Sequence, residues 1–245
     1  MEYYKKTSKL AFTLAEVLIT LGVIGIIASI TIPQLMRNYK AKVYETAFKK
    51  SYSNLSKAFT MTKIELGESN LNGTYAYYDV ENESYPNWEQ FLNVFYEQIK
   101  AESDAKSYKY VNYNNTKFDK TLVYIGVNDY PMILKILADG SGMGATVVGG
   151  NIRFFIDTNG YAKPNRLGFD IFRFHVSSKD ALMPDKMSRL YTEEELENEK
   201  YPTVVGYPCS IKSTQLLNGI GCAYYAMNDI NPDDNTKSYW KNLPR

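Results

Sequence analysis

The chain is poor in the residues that most often build catalytic and metal centres. Of its 245 residues only two are cysteine, Cys209 and Cys222, and one is histidine, His175. A zinc site drawn from His and Cys would have three candidate ligands scattered along the chain, short of the usual four. Histidine-assisted nucleophilic catalysis would rest on His175 alone. That residue lies in Phe172-Arg173-Phe174-His175-Val176, whose alternation reads as a strand, where a lone histidine is more often structural than catalytic. Charge of one sign is also lacking: 28 Lys+Arg face 27 Asp+Glu. No global basic field is therefore present to draw in nucleic acid or anionic lipid. No catalytic constellation emerges, and the chain reads as a non-enzyme.

What is present is a water-soluble body with one exceptional segment. The mean hydropathy is −0.36, yet residues 12–32 read FTLAEVLITLGVIGIIASITI, with Glu16 their only ionisable group. Before them stand Lys5, Lys6 and Lys9 against a single Glu2. At about 1.5 Å rise per residue this run spans roughly 31 Å as a helix, close to the hydrocarbon thickness of a bilayer. A cleaved secretory signal fits poorly, because the apolar core is too long and the small pair Ala28-Ser29 is flanked by isoleucines. A plain signal anchor explains the run but gives no reason for the carboxylate near its start. Such a group costs about 2.5–3.5 kcal/mol at a membrane helix centre and less near the interface.

The string Ala11-Phe12-Thr13-Leu14-Ala15-Glu16 resembles the type IV prepilin processing site, in which a small residue precedes a Phe and a Glu follows four residues later. Ala11 stands where that family favours glycine. Pro33 falls where pilins usually carry a helix-softening proline, and Gly22 and Gly25 lie in the apolar run. The resemblance implies that residues 1–11 are a leader, cut between Ala11 and Phe12 by a prepilin peptidase/N-methyltransferase that then methylates Phe12. It further implies a transmembrane segment at about 12–32 in the bacterial inner membrane, with the body outside the cytoplasm. After extraction into a pilus or pseudopilus, Glu16 would pair with the free amine of Phe12 in a neighbouring subunit and so set the register of assembly. The orientation rests on the resemblance alone, since Arg37, Lys40, Lys42, Lys49 and Lys50 crowd the far side of the span.

Beyond Pro33 the spacing remains helical. Tyr44, Phe48, Ser51, Leu55, Phe59, Thr62 and Leu66 recur every three or four residues and Gly67 is a natural stop. One helix over 12–66 is expected, with a kink or local melting at 29–33 caused by Pro33. Residues 67–86 read as a loop. A second helix opens at Asn87, with Gln90 completing a capping box and Trp88, Phe91, Phe95 and Ile99 as its apolar face. Strands are expected at 108–113, 121–127, 132–138, 144–148, 151–157 and 169–176, joined by short turns such as Gly149-Gly150. The fold class is thus α+β, a long N-terminal helix packed on an antiparallel sheet with the body in 67–245, which agrees with the pilin-like fold the resemblance implies.

The most distinctive string of the body begins Asp157-Thr158-Asn159-Gly160 and runs to Asp170, after Leu137-Ala138-Asp139-Gly140. It is similar to a segment of many pseudopilin-like proteins. Asp157, Asn159, Asn165 and Asp170 would offer oxygens to Ca²⁺. Equally, Asp157 and Asn159 would form Asx-turns around Gly160 while Asp170 caps the next strand. The charged run at 190–200, with Thr192 and Glu195 as a capping box, reads as a short solvated helix. The resemblance also implies a C-terminal disulfide loop between Cys209 and Cys222, against two unpaired thiols if the body were cytoplasmic. The function so implied is a minor or specialised structural subunit of a type IV pilus or a type II secretion pseudopilus. Its partners would be other pilin or pseudopilin subunits, the peptidase, an inner-membrane assembly platform and, before assembly, membrane lipid. The alternative is a membrane-anchored extracytoplasmic binding or adhesion protein that never polymerises; neither reading requires a cofactor beyond the candidate Ca²⁺.

Overall fold

A computed structural model describes residues 12–105, 109–114, 117–121, 134–189, 206–215 and 217–244. The leader with Ala11, residues 108, 122–127 and 132–133 of the expected strands, and the charged run at 190–200 lie outside the described residues. The chain divides into two compact units, Met1–Lys40 and Ala41–Arg245.

The first helix, α1, covers Leu14–Leu66. In the first unit its apolar side chains are exposed, among them Leu18, Ile24, Ile27 and Ile30. With a mean hydropathy of 2.2 in its most apolar stretch, the helix is long and apolar enough to cross a membrane. The helix is unbroken at Pro33, so the expected melting over 29–33 does not occur. Proline removes one rung of the ladder, and the surrounding rungs carry the helix past it. The hydroxyls of this half are folded back on the backbone: Ser29 donates to Ile26 O at 2.7 Å and Thr31 to Ile27 O at 2.9 Å.

In the second unit α1 turns amphipathic. Ala41, Phe48, Ser51, Leu55, Ala58, Phe59 and Thr62 are buried at the helical spacing. The Phe48 ring lies 4.6 Å from that of Phe172, Tyr52 lies 5.3 Å from Phe174, and Phe59 lies 5.7 Å from Phe154. Gly67 ends the helix at φ +66°, its N–H donating to Lys63 O at 3.0 Å.

Part of the expected loop over 67–86 is a short helix, α2 (Leu71–Tyr75), capped by Asn70, whose Oδ1 accepts from Gly73 N at 3.1 Å. Five residues are too few to show a period, but burial of Leu71 and Tyr75 holds them in place. Helix α3 (Trp88–Ile99) buries Trp88, Phe91, Phe95 and Ile99 as expected. The Asn87 side chain, however, makes no capping bond. Its Nδ2 donates instead to Thr74 O at 3.0 Å, meeting a carbonyl that the end of α2 leaves open.

Among the described residues eight strands follow: β1 (Ser103–Asp104), β2 (Lys109–Val111), β3 (Lys117–Thr121), β4 (Lys135–Ile136), β5 (Gly142–Val148), β6 (Asn151–Asp157), β7 (Ile171–Val176) and β8 (Leu182–Pro184). Six form one antiparallel sheet in the order β1-β4-β5-β6-β7-β8, and β2 pairs with β3 apart from it. The fold is α+β. Gly149 and Gly150 join β5 to β6 with both residues at positive φ, the conformation that a two-residue hairpin demands. The register pairs Ala145 with Phe154 and Phe154 with Phe174, which places all three on the face towards α1. Thr146, Arg153 and His175 are paired in the same way and occupy the opposite face. Cys209 and Cys222 are disulfide-bonded just before α4 (Ala223–Asn228), which removes the unpaired-thiol reading. Trp240, in a final 3-10 turn, donates through Nε1 to Ala226 O at 3.0 Å and lies 5.5 Å from Phe48.

Phe48 thus touches both the sheet and the C-terminal segment. Phe48→Ala is expected to lower stability by about 3–5 kcal/mol, while Val43→Ala on the exposed side of the same helix shifts it by about 0.5 kcal/mol or less. Thermal and denaturant unfolding of the detergent-solubilised chain checks the contrast.

Candidate functional site

The start of α1 holds two of the residues singled out in the sequence. Phe12 is 84% exposed. Glu16 Oε2 accepts from Thr13 N at 2.7 Å and from Thr13 Oγ1 at 2.8 Å, and Glu16 N donates back to Thr13 Oγ1 at 3.2 Å. This is a capping box, and Thr13-x-x-Glu16 was its visible signature in the sequence. The acid that a plain anchor leaves unexplained therefore takes one otherwise unpartnered N–H at the helix N-terminus, and Thr13 Oγ1 takes another. Phe12 and Glu16 lie within about one helical turn of each other.

The loop from Asp157 to Asp170 brings its four polar residues together, but as a set of turns. Asp157 Oδ1 accepts from Asn159 N at 3.1 Å, an Asx-turn. Asp170 accepts from Asn165 N at 2.8 Å through Oδ2 and from Arg166 N at 2.6 Å through Oδ1. Asn165, at φ +48°, donates through its amide to Gly160 O at 3.0 Å and Ala162 O at 2.8 Å. Asn159 Oδ1 is buried without a hydrogen-bond partner among the described residues. A Ca²⁺ ion bound here would have to displace backbone N–H groups from Asp170. Among the described residues no three His, Cys, Asp or Glu side chains are grouped to hold a metal ion. Gly160 explains why this loop accompanies Leu137-Ala138-Asp139-Gly140: a Cβ on it would stand 2.2 Å from Gly140 O, so the two turns lie back to back. Arg166 completes the loop, donating to Tyr113 O through Nε and Nη2 while its guanidinium lies 3.9 Å from the Phe169 ring centre.

A third cluster was not foreseen. On the sheet face away from α1, the fully buried Asp185 sits among three basic side chains from neighbouring strands. Arg153 Nη1 lies 3.2 Å from its Oδ1, His175 Nδ1 lies 2.6 Å from the same oxygen, and Arg173 Nε bonds Oδ2. Arg153 Nη2 donates to Tyr207 OH at 3.2 Å, and the Arg173 guanidinium stands 4.5 Å from the Tyr207 ring centre. Burial pushes the Asp185 carboxyl up, but the His175 bond and the charges of Arg173 and Arg153 more than offset this and hold it below the usual range. Only the alternation of β6 and β7 hinted that Arg153, Arg173 and His175 share a face; nothing local in the sequence pointed to Asp185.

The chain matches no protein-family model, no curated protein and no solved structure.

Burial raises the Asp170 carboxyl from its ordinary 3.8 to about 6, against the lowering effect of its backbone donors. The folded state therefore holds a proton between these values that the unfolded chain has lost. The resulting stabilisation is full below about pH 4 and disappears as pH rises through 6, a loss of roughly 2–3 kcal/mol. Asp170→Asn is expected to flatten that part of a stability–pH curve measured by thermal unfolding.

Proposed function

We propose that the chain is a minor or specialised structural subunit of a type IV pilus or type II secretion pseudopilus, with a pilin-like fold. The observation that carries this reading is the single helix Leu14–Leu66. Its first half is apolar and exposed with one carboxylate at the start, and its second half is the buried support of an antiparallel sheet. A simple anchor can use the carboxylate as a helix cap, but it needs no helix that continues into the body. The apolar half would rest in the inner membrane after cleavage between Ala11 and Phe12 and would later pack among like helices in a filament core. Until then Thr13 holds the Glu16 carboxylate; in the filament the amine of a neighbouring Phe12 would compete for it. The Cys209–Cys222 disulfide supports a body outside the reducing cytoplasm.

Mass spectrometry of the chain from its native membrane is expected to find N-methylated Phe12 as the first residue; an intact Met1 would sink the proposal. Glu16→Ala should abolish incorporation into filaments, scored by electron microscopy and shear fractionation, while membrane insertion persists. Normal processing without filaments in the wild type would favour a membrane-anchored binding protein instead.

A further inference from the structure

Among the described residues, the cluster around Asp185 is unbalanced in both charge and hydrogen bonding. Two guanidiniums share one carboxylate, and Arg153, Arg173 and Asp185 are at least nine-tenths buried. Both carboxylate oxygens are already engaged, Oδ1 by Arg153 and His175 and Oδ2 by Arg173. Tyr207 OH takes one further guanidinium N–H. Two donors of the buried cations, Arg153 Nε and Arg173 Nη2, have no partner among the described residues. A buried charged donor left unsatisfied is costly, and a second acceptor of negative charge would correct both deficits at once.

We propose that Arg153, Arg173 and His175 form a binding site for a small inorganic oxyanion of the phosphate or sulfate class. Guanidinium N–H groups match tetrahedral oxyanions in geometry as well as charge. The depth of the two free donors selects a small ion over a bulky phosphorylated group. Solvent approaches at His175, whose side chain is 30% exposed, and at the half-buried Tyr207 ring flanking both guanidiniums. The Tyr207 backbone is fixed there: Gly221 packs so closely against Tyr207 O that a Cβ would stand 2.0 Å from it, and the Cys209–Cys222 disulfide closes the same segment. The bound ion would neutralise the excess positive charge at the junction of β6, β7 and β8.

The test is a titration of the detergent-solubilised full chain with sodium phosphate, and separately with sodium sulfate, at constant ionic strength balanced by chloride. Thermal unfolding should show a saturable rise in Tm with either oxyanion. Arg153→Met should raise the titration midpoint by about tenfold or more, as expected for a lost charged hydrogen bond. Should that variant fail to fold, His175→Gln at the part-exposed mouth replaces it, with a rise of about threefold or more. A wild-type response to phosphate and sulfate no larger than to chloride overturns the proposal, as does an unchanged midpoint in whichever variant folds.

Discussion

Phe48, Tyr52 and Phe59 of α1 meet Phe154, Phe172 and Phe174 of β6 and β7, and strand alternation lets that contact place every other side chain on those strands. Once the phenylalanines face the helix, Arg153, Arg173 and His175 must face the other way. All three are held in place by Asp185, which enters from beyond β8 and is bonded to each of them. One aromatic seam thus accounts for the apolar core on one side of the sheet and for the polar cluster on the other. The seam also reaches the C-terminal segment through Trp240, whose ring lies against both Phe48 and Phe172.

The apolar half of α1 follows a different constraint. The helix is long and apolar enough to cross a membrane, and in hydrocarbon a polar group without a partner is costly. Thr20, Ser29 and Thr31 return their hydroxyls to backbone carbonyls one turn earlier. Glu16, the one ionisable side chain of residues 12–32, is closed on Thr13. The carboxylate accepts two hydrogen bonds from Thr13, which lower the cost of an apolar setting but leave its charge unpaired. It also remains available to a stronger donor, which is the property an assembly contact at this position would use.

Much of the architecture was legible because it depends on local periodicity. The stripe from Phe48 to Thr62, the apolar face of α3 and the boundaries of β6 all follow from spacing that a single strand or helix displays by itself. Elements too short to display a period escaped: α2, β1 and β8 exist because neighbours bury or pair them. The Asn87 side chain went astray for a related reason. Its capping signature was sound, but a carbonyl of α2, thirteen residues earlier in the chain, took its amide.

At the candidate sites the same division holds. Residues 12–33 alone determine a long apolar helix carrying one carboxylate, and the Thr13-x-x-Glu16 spacing determines how that carboxylate is held, since both depend on neighbours within one turn. The string from Asp157 to Asp170 contains the residues of its own turns. Only the tertiary structure decides that Gly160 must be glycine, because the opposing Gly140 carbonyl arrives from another loop. It alone decides that the single histidine meets a buried aspartate and two arginines, because strand pairing, and not sequence spacing, brings β6, β7 and the chain after β8 side by side.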